Sequence, residues 1–276
     1  VTELLAQRTD WIWNINPDQI DSINKMPFLQ AVRQESMRIG YLQIDAAGRT
    51  GAGNPLTKLK VRQAIWHAVD RKQFADKLVG GGSRVPPAPC FPSQFGCDAN
   101  AAVKYDYDPA KAKALLAEAG FPNGFDIEFV TYVQPTSWPS SVQSYLQAVG
   151  IRAKITQLQV SPAIQKSQKG EAPLYMGSWG SYSINDVSAI FPVMYGAGAR
   201  DNYSLDPELE KLIADGGATA DKAARAKAYS AAIKIITEKA YWMPINTYVN
   251  TYAFAKALEF KTFPDELPRF YYAKWK

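Results

Sequence analysis

FDIEFVTYVQPTSWPSSVQSYLQAVGIRAKITQLQV, residues 125–160, changes its hydrophobic period twice. FDIEFVTYV (125–133) alternates apolar and polar positions, as a strand does. SSVQSYLQAVG (140–150) sets Val142, Tyr145, Leu146 and Val149 on one helical stripe, and IRAKITQLQV (151–160) alternates again. A strand, a helix and a second strand in that order predict a parallel pair joined by a right-handed crossover. SPAIQKSQKG (161–170) then predicts a short helix opened by Ser-Pro and closed by glycine, with Leu174-Tyr175-Met176 as the next strand. The fold class read from this stretch is α/β, with a mixed, mostly parallel sheet flanked by helices.

Upstream, KVRQAIWHAVDRKQFADKLVGGG (60–82) places Val61, Ala64, Ile65, Ala68 and Val69 at helical spacing and continues through Phe74 and Leu78, predicting one helix stopped by three glycines. In YDPAKAKALLAEAGF (107–121), Asp108 reads as the cap, Pro109 as the first turn and Gly120 as the terminator. Downstream, SLDPELEKLIADGG (204–217) and TADKAARAKAYSAAIKIITEKA (219–240) read as helices. WMPINTYVNTYAFA (242–255) reads as a strand that Pro244 confines to an edge or crossing point. Near the start, Trp11-Ile12-Trp13 reads as a short strand and NPDQIDSI (16–23) as a helix opening on Asn16 and Pro17. Arg38 to Asp45 reads as extended. Val1 to Leu5 resembles the middle of an element, so the chain is expected to begin inside a longer design.

At 276 residues, 47% apolar and 21% charged, the chain suits one large domain or two ordinary ones. No apolar run nears the ~20 residues of a membrane span, and Val1-Thr2-Glu3 shows no basic leader or apolar signal core. The net charge of +5 comes from Lys and Arg scattered among Asp and Glu, without the clustering a nucleic-acid footprint needs. Cys90 and Cys97 lie in PPAPCFPSQFGCDA, a proline-rich loop. They read as a disulfide, with two buried thiols as the alternative; a disulfide points to an oxidising compartment. No metal site is expected, because two thiolates do not fill a tetrahedral shell and His67 sits on a predicted helix.

GSWGSYSINDVSAIF (177–191) is the candidate ligand stretch, beginning where a strand of the sheet runs out. Gly177 and Gly180 admit a close approach, Trp179 and Tyr182 offer flat faces, and Ser178, Ser181, Ser183, Asn185 and Asp186 offer polar groups. Packing chemistry gives a second reading of the same residues. Trp179 would be core, and Asn185 or Asp186 would cap a helix from Val187 toward Tyr195.

Four further segments carry a family resemblance. NPLTKLKVRQAIWHAVDRKQF (54–74), YDYDPAKAKALLAEAGFPNGF (105–125), DWIWNINPDQIDSI (10–23) and NYSLDPELEKLI (202–213) resemble signatures of the extracytoplasmic solute-binding proteins of peptide-type ABC importers, family 5. The resemblance runs in register from about Thr2 to Lys276 and covers the later half of a typical member. It implies a type II periplasmic-binding-protein-like lobe over residues 46–247. Remnants of the other lobe are expected at 1–45 and 248–276, with crossings at Leu42 to Asp45 and Tyr248 to Ala253. It also implies a peptide or peptide-like solute held between hinged lobes, a membrane permease as partner, and a periplasmic location.

Aligning GSWGSYSINDVSAIF with the family's ligand loop puts Trp179 on its ligand-lining aromatic. The aspartate that pairs with a peptide ammonium becomes Tyr182, and an arginine used for the ligand carboxylate becomes Met176. The expected site is therefore Met176, Trp179, Ser181, Tyr182, Asn185 and Asp186. The expected solute is either not an ordinary peptide or one held through its backbone. No cofactor and no catalysis are expected: His67 has no evident nucleophile partner, Asp265 and Glu266 read as solvated in a proline-flanked turn, and GAGNPL (51–56) lacks a phosphate-binding lysine. The rival class is a ligand-sensing domain of a regulatory protein with the same fold. A full-length protein is expected to be monomeric, and the chain alone to show some self-association.

Overall fold

The computed structural model describes residues 1–276. Its main sheet holds β1 (Trp11–Trp13), β2 (Leu29–Ile44), β3 (Phe125–Thr131), β4 (Ile151–Gln157), β5 (Leu174–Gly180) and β6 (Trp242–Ala255), in the order β1-β6-β2-β5-β3-β4. The two alternating segments of the opening stretch pair in parallel as β3 and β4, and β3 pairs in parallel with β5. The sheet is mixed, as expected, but "mostly parallel" describes only that half. β2 lies antiparallel to both β5 and β6, and β1 lies antiparallel to β6.

β2 is also longer than its reading. It begins at Leu29 rather than at Arg38, and over its 16 residues runs on the order of 50 Å. β6 returns along it from Trp242 opposite Gln43 to Ala255 opposite Leu29. The ladder has one wide break and one smaller shift. At the break Glu35 faces Val249 and Ile39 faces Thr247, so Ser36, Met37 and Arg38 stand opposite Tyr248 alone; the smaller shift lies between Gly40 and Tyr41. β1 reaches only Tyr252 to Phe254, which leaves β6 an edge strand at Pro244.

Alternation along the strands sends side chains into two cores, one on each face. Leu42, Ile44, Phe129, Leu174 and Met176 pack under the helices Leu59–Ala68, Pro109–Glu118 and Ser137–Ala148. Ile39, Tyr41, Val130, Tyr175 and Trp242 pack under Val160–Gln168, Pro207–Gly217 and Lys222–Glu238. Two smaller clusters gather Leu4, Ile15, Ile20 and Ile23 under one end of β2, and Tyr252, Phe254 and Leu258 beside it. None of their buried members lies between residues 32 and 251.

The helix expected over 60–82 is interrupted. Leu59–Ala68 ends at an extended Val69, Asp70 accepts from the Gln73 backbone N–H, and the chain restarts as a short turn with a wide π-helical segment, Phe74–Val79. An acceptor side chain at residue 70 caps the restart and defeats the continuous pattern. Pro109–Glu118 matches its reading, with Asp108 accepting from Lys111 N–H. Cys90 and Cys97 form a disulfide with Cα atoms 5.8 Å apart.

Candidate functional site

Two hollows compete for a ligand. One, about 660 Å³, lies at the amino ends of the parallel strands, lined by Arg49, Asn54, Asp126, Glu128, Lys169 and Glu171 among others. The second, about 570 Å³, lies past their carboxyl ends, where Tyr132 and Val133 follow β3, Val160 follows β4 and Ser178 nears the end of β5. Open α/β sheets bind ligands at carboxyl ends, which selects the second. Its far wall comes from β1, the distal part of β6 and the tail: Trp13, Asn14, Asn250, Glu266, Leu267 and Pro268.

Arg38 stands between these walls because of the break in the ladder. Extra residues in one strand re-aim the side chains beside them. Here Met37 N–H donates to Pro264 O at 2.7 Å and the Met37 side chain enters the core, while Arg38 turns to the cleft. Its cross-strand partner in β5 is Gly180, where a Cβ would stand 2.8 Å from Arg38 Nη2. The missing side chain makes room for the guanidinium. Arg38 binds both oxygens of Glu266, at 2.7 Å from Nη2 and at 3.0 and 3.1 Å from Nε. It also reaches Ser178 Oγ at 3.3 Å and the Tyr182 hydroxyl at 3.4 Å. Burial works against the Arg38 charge, but the Glu266 hydrogen bonds and charge outweigh it and hold the guanidinium above its ordinary value.

Behind the pair, the Tyr132 hydroxyl donates to Ser178 O at 3.2 Å and accepts from Ser178 N–H at 3.0 Å, fixing the end of β5. Tyr248, opposite the ladder break, packs edge-on against Trp138 at 5.3 Å. Burial, followed by the neighbouring Tyr132, pushes its hydroxyl well above the ordinary tyrosine range, so it stays a neutral donor. Strain gathers here too. Gln7, Asn14, Tyr182, Leu205, Ala240 and Glu266 are the non-glycine residues with positive φ, and half of them line this cleft: Asn14 at 53°, Tyr182 at 46° and Glu266 at 64°. Such conformations cost on the order of 1 kcal/mol each and concentrate where a side chain must be aimed.

The residues expected from sequence fall in different places. Tyr182 lines the cleft. Met176 is fully buried in a sheet core, which removes it from any ligand, and Ser181 is buried as well. Trp179 does not line the cleft: β5 runs on to Gly180, so Ser178 and Trp179 point to opposite faces and the indole packs on the other core. Asp186 is bound to Arg225 at 2.9 and 3.0 Å and caps the Val187–Ala189 turn, as the packing alternative foresaw. Asn185 accepts from Ser93 Oγ at 3.1 Å on the disulfide loop. Asp265 and Glu266, read as solvated, are mostly buried in ion pairs with Arg269 and Arg38. Sequence reasoning missed Arg38 as well. Its only signal was a lone charge inside the extended run that continues Ile39, Tyr41 and Leu42.

No group of three or more His, Cys, Asp or Glu side chains is placed to hold a metal ion. No helix is long and apolar enough to cross a membrane. An α/β sheet whose strand ends open into a cleft of aromatics, amides and one ion pair has the build of a solute-binding protein. The chain belongs to the bacterial extracellular solute-binding proteins, family 5, matching the family's middle region over residues 1–201. It is 28% identical over 245 residues to di/tripeptide-binding protein 1 of Pseudomonas aeruginosa, covering 84% of this chain and 44% of that protein. It is 25% identical over 256 residues to heme-binding protein A of Haemophilus influenzae, covering 88% of this chain and 45% of that protein. The structure of HbpA2 from Haemophilus parasuis superposes with a TM-score of 0.82 at 26% identity, over 100% of this chain and 55% of that one. The chain thus spans about half the length of the curated relatives it matches.

Proposed function

We propose that this chain supplies the solute cleft of the substrate-binding component of an ABC importer. In this reading a periplasmic protein captures a peptide or peptide-like small solute between two hinged lobes and delivers it to a membrane permease. The observation that carries it is the cleft beyond β3, β4 and β5, whose opposite wall belongs to β1, distal β6 and the tail. The smaller clusters under β1 and distal β2 support two separately packed bodies. On this reading the lobes meet at the ladder break, around Ser36 to Arg38 and Tyr248, rather than just after Asp45. A hinge there needs only a few residues to absorb the rotation. The bonded Cys90–Cys97 pair favours an oxidising compartment over the cytosolic sensor reading.

Native mass spectrometry of protein purified without refolding tests the proposal. A co-purifying small molecule that free dipeptide displaces is the expected result, and Asp186→Ala should leave that exchange unchanged. Protein that carries no solute and takes up none from a dipeptide library would contradict it.

A further inference from the structure

We propose that Arg38 is the receptor for a carboxylate of the solute and that Glu266 is a stand-in counter-ion the solute displaces. The inference rests on the solute-binding reading and names the chemical class of its ligand. Arg38 and Glu266 are the only lining residues of the cleft that carry charge at neutral pH. Arg38 does not depend on Glu266 for its position. The ladder break aims it, Gly180 makes room for it, and Ser178 Oγ and the Tyr182 hydroxyl hold its two Nη groups. It therefore stays in place when its partner leaves.

Glu266 is differently situated. Its carboxylate oxygens have no hydrogen-bond partner but Arg38, and its backbone sits at φ 64°, in the left-handed region. Release lets that strain relax. A guanidinium desolvated at a cleft wall and left unpaired is strongly unfavourable, so the empty site needs a carboxylate. Exchanging Glu266 for a solute carboxylate conserves the charge-assisted, forked hydrogen bonds. Asp186 does not serve a solute ammonium, because Arg225 holds it away from the cleft. The ligand so defined carries a carboxylate, amide groups for Asn14, Gln134 and Asn250, and an apolar or aromatic part for Trp13, Val133 and Leu267.

Calorimetric titration of the unaltered chain with Ala-Phe, its carboxyl-terminal amide and N-acetyl-Ala-Phe tests this. Amidation should weaken binding roughly tenfold or more, and acetylation should change it by less than about threefold. Glu266→Gln should tighten binding of the free acid roughly threefold to tenfold by removing the competing carboxylate, while Arg38→Met should erase the difference between acid and amide. Equal affinity for acid and amide on the unaltered protein, or weaker acid binding by a folded Glu266→Gln variant, would overturn the inference and leave the solute-binding reading standing. Failure of all three probes to bind would overturn both.

Discussion

Asp186 and Glu266 are both carboxylates gripped by an arginine, yet they do different things because of what surrounds the arginine. Arg225 takes Asp186 on one side and Gly216 O on another, at 3.0 Å, with Phe95 and Tyr229 rings 5.0 and 5.5 Å from its guanidinium carbon. Those partners come from the disulfide loop, the 181–187 turn, the end of one helix and the middle of another. The pair is a clasp that fastens loops to one face of the sheet. Arg38 draws its partners from opposite walls of a cleft. A carboxylate in a glycine- and aromatic-rich loop looked like a ligand group, whereas one in a proline-flanked turn looked solvated. Their roles are decided by which face of the sheet each reaches, and the segment around either residue does not encode that.

The comparison can be broken most forcefully at the clasp. Arg225→Ala should lower stability by about 2 kcal/mol in urea unfolding, because it strands a partly buried carboxylate and removes the tie to Gly216 O, while solute affinity stays unchanged. A loss of affinity without loss of stability would put Asp186 back in the ligand site. A smaller effect is read by pH at the ion pair next to Glu266, Asp265 with Arg269. Arg269 lowers the Asp265 pKa, and Asp265 adjoins Glu266 in the cleft wall. A depressed carboxylate stabilises the fold above its unfolded value, and that contribution drains away as pH falls through the folded one. Asp265→Asn should therefore cost roughly 1 kcal/mol at neutral pH, with the gap to the parent protein closing in acid. A gap independent of pH would contradict the assignment.

The smallest effect on stability should accompany a clear effect on binding. Gly180→Ala places its methyl against the far end of the flexible Arg38 side chain, so the protein should lose less than about 0.5 kcal/mol. The displaced guanidinium should nevertheless weaken carboxylate binding, read by calorimetry. Unchanged affinity would mean that Gly180 has no part in positioning Arg38.

Much of the fold was legible because periodicity and caps are local. β6 was read to its observed bounds, and Asp108, Pro109 and Gly120 marked a real helix. The failures share a cause in tertiary context. Val69 and Asp70 break a helix whose apolar spacing never falters, because a capping side chain wins locally. The strand beside the candidate site was read too short. Ending β5 at Met176 left Trp179 free to face anything, whereas a strand that continues to Gly180 turns Ser178 to the cleft and Trp179 away. Arg38 and Glu266 lie 228 residues apart and meet only through β2 and the tail, a pairing that no local pattern announces.

A crystal structure of the protein with a bound free-acid dipeptide tests the central claim most directly. The account predicts density between Ser178 and Tyr182 on one side and Trp13 and Pro268 on the other, with the dipeptide carboxylate on Arg38 and no contact to Trp179. Density beside Trp179 and Asp186, or in the hollow between Arg49 and Lys169, would contradict it.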